Sequence, residues 1–465
     1  MIHSMNFHPI SEGRACESPI SQTISETRGL VPPSFMVPIL AGPRLCPWFT
    51  LLCLSVAATC FAAPQTSNRG ALAEFASSPL PPHAILDLVG RRQDRNSVGH
   101  GRNLALFAGN PSRYFFATHS LGNIFSATDG SIVQWFPDHV LLDPSKPGRD
   151  NPADAVIERR RVCVTKEDVV VCQVLLTNSS DHAVSHLLEI SGDCRQSFDW
   201  QERPGGSKST EHVGRNVLVR DSGVYPNRFK NGLSFLVGGN TAPKEIVTEP
   251  PGTYRMAFEV RIPARGTSQI ILACAVDPDA TRAQWNLAGV LRQTEPVAEN
   301  RKDWAKFFDE EIPRFTCSDR GLTELYAYRW YLLRFSTIGS QVGLFRFPIV
   351  LEGRQAYQTA GCFSAPFMAF DLNWAPDPAV GFHQIAGLAS VSYEDGRFPW
   401  RASPRTNKVA LQHESATGLS LLPLAAWKHY LIHGDLDLLR QVYPAMKKNL
   451  LWWIQERDPN NDDHR

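Results

Sequence analysis

The carboxylates Glu352 and Asp371, an arginine and a group of aromatic side chains crowd into residues 351–388, LEGRQAYQTAGCFSAPFMAFDLNWAPDPAVGFHQIAGL. Cleavage of a glycosidic bond needs one carboxyl that is protonated and one that is ionised, held roughly 6.5–9.5 Å apart when the reaction inverts the anomeric centre. Three residues are candidates for those roles. Asp371 lies between Phe370 and Leu372, an apolar setting that favours a protonated acid; it reads equally well as a backbone-bonding residue before the Asn373-Trp374 turn. Glu352 is either an acid/base residue or half of a structural pair with Arg354. Glu414 follows Gln412-His413 and opens a helix, where an acid also complements the helix dipole. Around them, Tyr357, Trp374 and Trp400 could stack on the apolar face of a sugar, and Arg354, Arg401 and His413 could bond its polar groups.

Helices must hold these residues. The stretch from Ser340 to Ala375 is broken by Gly361 and Pro366 and reads as an irregular wall. Before it, residues 318–339 carry Leu322, Leu325, Tyr326, Leu332 and Leu333 at helical spacing, with Asp319 as N-cap and Gly339 as a stop. After it, Asp377-Pro378 pairs an N-cap with a proline at the first helical position. A helix over 416–433 follows, then a turn at Gly434-Asp435. LDLLRQVY and, beyond Pro444, AMKKNLLWWIQER come next, with Met446, Leu450, Trp453 and Ile454 on one face. Helices joined alternately by short turns and by long polar loops suggest an α-hairpin toroid whose loop-bearing rim holds the pocket.

Ahead of the helices the chain reads as strands from about 64 to 297, then a connecting helix over 298–317. VIERRRVCVTKEDVVVCQVLLTN, NVLVRD, LSFLVGG, TYRMAFEVRIPA and TSQIILACAV are separated by turn clusters, which predicts a large β-sandwich. Within VLLTNSSDHAVSHLLEI the run-turn-run pattern predicts a hairpin with Asn178 to Asp181 at its tip. Cys163 and Cys172 flank a second hairpin and are either a disulfide or two buried thiols.

Composition limits the partners. The chain has 465 residues and a net charge of +1, which does not favour nucleic acid or an anionic membrane as partner. No zinc spacing, phosphate loop or nucleotide fingerprint occurs, so no metal or cofactor is implied. Residues 1–63 read as an extension followed by a secretory signal, with an apolar run from Trp48 to Phe61 and cleavage near Ala63. The expectation is a secreted, periplasmic or extracellular protein with no membrane span after cleavage. Oligomeric state is not readable.

SAPFMAFDLNWAPDPAVG and HGDLDLLRQVYPAMKKNLLWWIQERDPNND carry a family resemblance. Over about residues 318–465 the chain resembles the mannosylglycerate hydrolase-like catalytic domain of the glycoside hydrolase family 63 and trehalase (six-hairpin glycosidase) superfamily. The resemblance implies a β-sandwich before an (α/α)6 barrel and an inverting hydrolase of an α-linked oligosaccharide or glycoside. It also implies an incomplete toroid, because the helices after Ser318 are too few to close one. In that family a Trp-Asp pair precedes a Ser/Thr-x-Phe run and the Asp is the general acid. Phe363 stands at that position here, and the family's base would fall beyond Arg465. Three function classes therefore stay open: a glycosidase, a non-catalytic carbohydrate-binding protein on the same fold, and a sugar phosphorylase or polysaccharide lyase of similar architecture.

Overall fold

Among the described residues, eleven strands precede the helices that carry the candidate residues. The structure, a computed structural model, describes residues 68–80, 109–110, 124–144, 155–193, 208–221, 232–249, 251–315, 317–339, 345–352, 359–402 and 420–457. All of these lie in the unit Gln65–Arg465. The strands are β1 Ser131–Trp135, β2 Val140–Asp143, β3 Val156–Val164, β4 Val169–Asn178, β5 Val184–Asp193 and β6 Lys208–Val213. They continue as β7 Asn216–Asp221, β8 Leu233–Gly239, β9 Glu245–Glu249, β10 Thr253–Ile262 and β11 Thr267–Asp277. An eight-stranded antiparallel sheet has the order β1-β2-β3-β4-β11-β8-β7-β6, and a three-stranded one the order β5-β10-β9.

The two sheets share one core. Trp135, Val162, Cys172, Val174 and Leu272 of the large sheet pack with Leu188, Ile190, Met256 and Phe258 of the small one. The other face of the large sheet is also covered. Cys163, Val171, Leu236 and Ala273 lie under Ala283 and Leu287 of helix α2, Ala280–Leu291. Burial on both faces explains why VVVCQVLL reads as a run and not as an alternation.

The expected hairpin around Asn178–Asp181 is not one. β4 belongs to the large sheet and β5 to the small one, pairing with β10 from Thr253↔Asp193 to Ile262↔Val184. Asn178 makes the crossing possible: its Nδ2 donates to the carbonyls of His182 (2.8 Å) and Pro263 (3.0 Å), and its Oδ1 accepts from Ser180 N–H (2.9 Å). The β3–β4 hairpin does form, and it decides the cysteine alternatives. Cys163 sits opposite Val171 and Cys172 opposite Val162, so the two sulfurs lie on opposite faces as buried thiols. Burial raises the pKa of both, that of Cys172 to about 12.

The other helices are α1 Asn68–Ser77, α3 Pro296–Lys306, α4 Arg320–Ser336, α5 Ala365–Leu372, α6 Pro378–Ala389, α7 Leu422–His433 and α8 Leu436–Arg457. A single π-helical turn, Phe307–Glu311, follows α3. Asp319 and Asp377 cap α4 and α6, accepting from Gly321 N–H (2.7 Å) and Ala379 N–H (2.9 Å). Three expectations change. Leu322 and Leu325 are exposed (49% and 61%), because α4 buries Ala327, Trp330, Tyr331, Leu333 and Phe335 instead. Residues 365–372 form a helix inside the supposedly irregular wall. Pro444 does not divide α8, and Leu450 is exposed on it.

Strands and helices meet in an aromatic seam of Trp304, Phe307, Phe308, Tyr331 and Phe335, and Trp135 Nε1–H donates to Tyr331 Oη at 2.9 Å. Beside it Gly109 bridges to Val164 with φ +92°, and Asn110 N–H donates to Val164 O at 2.8 Å. A methyl on Gly109 would stand 2.6 Å from Asn300 Nδ2 and 2.7 Å from Val164 O. Gly109→Ala should therefore cost at least about 2 kcal/mol, from left-handed strain plus overlap. Urea unfolding checks this, and a loss under about 0.5 kcal/mol, the scale of a neutral surface change, contradicts it.

A buried polar knot joins the end of α5 to α7. Asn373 Nδ2 donates to Ala425 O (3.1 Å), its Oδ1 lies 3.0 Å from His429 Nδ1, and its carbonyl 2.8 Å from His433 Nε2. Burial first, then the neighbouring His433, lowers the pKa of His429; burial also lowers that of His383. Below 6.5 the unfolded chain then binds more protons than the native one, so stability present above that pH drains as pH falls through it. Unfolding free energy measured from pH 7.5 to 5 should fall, and His429→Gln should show a shallower slope. Equal slopes would contradict the assignment.

Candidate functional site

A cleft of about 400 Å³ lies where α4, the segment around Glu352 and α5 converge. Two short ribbons set its walls. β12 Thr337–Ile338 pairs with β13 Ile349–Val350 and so ties the approach to Glu352 to the end of α4. β14 Ala360–Gly361 pairs with β15 Arg401–Ala402, and the turn after β14 leads directly into α5. Gln384 of α6, 1% exposed, clamps both walls: its Oε1 accepts from Val350 N–H (2.8 Å), while its Nε2 donates to Val350 O and Ala365 O (3.3 Å each).

Glu352 and Asp371 both line this cleft, together with Arg329, Ser364, Phe363 and Phe367. Glu352 Oε1 accepts from Ser364 Oγ, and Glu352 N–H donates to Thr359 O at 3.0 Å. Ser364 stands at the N-cap of α5 yet makes no side-chain cap bond, since its hydroxyl is committed to the carboxylate. Asp371 Oδ2 accepts from Arg329 Nη2. The apolar setting expected for Asp371 is thus corrected: α4 brings a guanidinium to it, a partner 42 residues away that its neighbours in sequence do not reveal. Both carboxylates remain reachable, Glu352 exposed and Asp371 with 28% of its side chain accessible.

Aromatic rings flank the carboxylates. Phe363 and Phe367 are 57% and 44% exposed and meet edge to face at 5.4 Å; Phe367 meets Phe370 at 5.7 Å, and Lys428 Nζ lies 4.8 Å over Phe370. Large rings left in solvent at the rim of a cleft that also holds two carboxylates are what a sugar-stacking surface requires.

The remaining candidates are spread out. Trp374 is 65% exposed just past α5, and Trp400 is 36% exposed, its carbonyl accepting from Cys362 N–H at 3.4 Å. Arg401 lies on β15 beside Gly361. Among the described residues none of these three lines the cleft. Arg354, Tyr357, His413 and Glu414 lie outside the described residues. Arg329 and Gln384 were not singled out from sequence. The available signals were a lone Arg in AYRWYLL and a lone Gln in the apolar helix GFHQIAGLA.

A larger cleft, about 670 Å³, shares Leu333 and Val350 and is lined by Glu310, Glu311, Asp377, Arg334 and His383. It suits chemistry less well. One of its three carboxylates, Asp377, is occupied in capping α6, and its rings Phe307 and Trp330 are buried. No group of three or more His, Cys, Asp or Glu placed to hold a metal occurs among the described residues, and none of their helices is long and apolar enough to cross a membrane.

Gly361 makes room for the Glu352–Ser364 bond. A methyl there would stand 2.5 Å from Glu352 Oε1 and 2.8 Å from Ser364 Oγ. Gly361→Ala should destabilise by about 1–3 kcal/mol, as overpacking does. Glu352→Ala should recover part of that loss, with a coupling of about 0.5 kcal/mol or more in a double-mutant cycle. Additive losses would mean that the carboxylate is not where the structure places it.

No protein-family model matches the chain, and no curated protein matches it. Among solved structures it is similar to a human-microbiome protein assigned as a kojibiose phosphorylase, at 12% identity and TM-score 0.44, covering 64% of this chain and 44% of that one. It is similar to a family GH92 alpha-mannosidase from Bacteroides thetaiotaomicron at 12% identity and TM-score 0.44, covering 69% and 44%. A bacterial glucoamylase complexed with acarbose matches at 10% identity and TM-score 0.38, covering 68% and 56%. The chain spans less than half the length of the first two. With TM-scores below 0.5, these likenesses assign neither a fold nor an activity to it.

Proposed function

We propose that this chain is part of a secreted glycoside hydrolase that cleaves an α-linked oligosaccharide or glycoside, with Glu352 and Asp371 as its catalytic carboxylates. One observation carries the reading: the two carboxylates share a cleft whose rim presents Phe363 and Phe367 to solvent. In this reading α4 to α8 are the first part of an (α/α)6 toroid of the family 63 and trehalase type. The apolar run at 48–61 is the leader that sends the protein out of the cytoplasm.

The chemistry divides between the two groups. Glu352, bonded by a hydroxyl and reachable from solvent, is placed to protonate the leaving oxygen. Asp371, beside the Arg329 guanidinium, is placed to act as a carboxylate that activates water. The phenylalanines at 363 and 367 contribute a stacking surface for the sugar ring.

A specific observation also favours the second reading, a carbohydrate-binding protein without turnover. Phe363 occupies the position of the family's acid, and its ring is the most exposed of those lining the cleft.

The full chain, incubated with α-linked gluco- and manno-oligosaccharides, should release product with inverted anomeric configuration by NMR. Glu352→Gln and Asp371→Asn should each lower kcat about 10²-fold or more, the usual share of acid/base catalysis. Phe363→Ala should raise KM severalfold, consistent with about 0.5–1.5 kcal/mol for an aromatic stack. Turnover unchanged in both carboxylate variants would sink the site assignment. Saturable sugar binding without turnover would select the second reading.

A further inference from the structure

A second cavity, far from Glu352 in the chain, is built from cations. It measures about 270 Å³ and opens on the outer face of the large sheet where β1, β2 and β3 meet α3. Arg159 and Arg161 of β3 line it, as do Arg301 of α3 and His139. Leu141 and Leu175 give it an apolar floor and Phe136 a ring, stacked on His139 at 4.4 Å and 5°.

The electrostatics of this cavity are unbalanced. Strand alternation puts Arg159 and Arg161 on one face, about 7 Å apart along β3 at ~3.3 Å per residue. Arg160, between them, points into the core and is satisfied there by Glu158 Oε1 (2.6 Å) and by the carbonyls of Ser126 and Ala127 (3.1 Å each). Among the described residues Arg159 and Arg161 have neither ion pair nor hydrogen bond. Asp138 cannot serve them, being fully buried, with its carboxylate shared by Arg301 Nε (3.1 Å) and His139 Nδ1 (2.9 Å). The same fixed Asp138 holds Arg301 and His139 at the cavity wall.

Arg159 and Arg161 are both exposed, and like charges about 7 Å apart repel, so an anion that bridges them is favoured. Planar guanidinium forks match the oxygens of a carboxylate, sulfate or phosphate in paired hydrogen bonds. We propose that this cavity is a binding site for a small ligand bearing one such oxyanion. The two guanidiniums grip the anionic group, and Phe136, Leu141 and Leu175 cover the rest of the ligand. The cavity, about 270 Å³, is larger than a bare anion fills, so a carrier such as an acidic sugar fits. The inference is independent of the glycosidase reading.

Calorimetric titration of the full chain with sodium sulfate, inorganic phosphate and glucuronate, each against chloride at matched ionic strength, tests it. At least one should bind saturably at a single site, and the strongest identifies the oxyanion. Arg159→Gln combined with Arg161→Gln, which keeps part of each stem over the apolar floor, should weaken that binding at least tenfold, about 1.4 kcal/mol. Arg282→Ala, an exposed charge removed from α2, should leave it unchanged. Absence of saturable binding by all three anions, or equal affinity in the double variant and the wild type, overturns the proposal.

Discussion

The Arg334 guanidinium holds the strands and the later helices together. It rises from α4, donates to Asn110 Oδ1 (2.6 Å) and Asp303 O (3.3 Å), and lies 4.3 Å over Trp304 and 4.6 Å over Phe307. Asn110 in turn donates to Asn300 Oδ1, and Asn300 to Asp138 O. A charge drawn from water must find such partners or the cost falls on the fold. Burial pulls its pKa down only to about 10, so it stays charged at neutral pH and its partners stay required. One chain of polar contacts therefore fixes α3, α4, β3 and the β1–β2 turn. Gly109 at φ +92° is the concession that lets Asn110 reach its place.

Rigidity at that junction reaches the cleft by way of α4. The helix that carries Arg334 also carries Arg329, which meets Asp371, and its last residues run into β12, which pairs with the strand before Glu352. Gln384 then locks Val350 to the first residue of α5. The two carboxylates are thus held from separate chain segments, Asp371 on α5 and Glu352 two residues past β13.

Much of the fold was legible where one residue type forces one local answer. Asp377-Pro378 starts a helix because a capping carboxylate and a missing N–H both satisfy a helix's first turn, and the structure starts α6 there. The β3–β4 hairpin was legible from its two apolar runs. What was not legible depended on partners far along the chain. VLLTNSSDHAVSHLLEI has the pattern of a hairpin, but Asn178 bonds to Pro263, and 85 residues of separation leave no local trace. Leu322 and Leu325 fit helical spacing as well as Trp330 and Tyr331 do; the aromatic seam chose the latter pair. Glu352 and Asp371 could be nominated by type, whereas Arg329 and Gln384, which position them, could not.

Phe363 marks the point where resemblance and geometry part. A proton donor at that position would sit at the lip of the cleft that Glu352 and Asp371 line. The Phe363 ring stays in solvent although the apolar core beside it holds Ala365, Ala369 and Cys362. Leaving the ring 57% exposed forgoes part of the about 1.5–3 kcal/mol that full burial of a phenyl ring supplies, which a ligand that stacks on it could restore. In the glycosidase reading proposed above, Phe363 would offer a sugar its ring face where the family that residues 318–465 resemble has a proton donor.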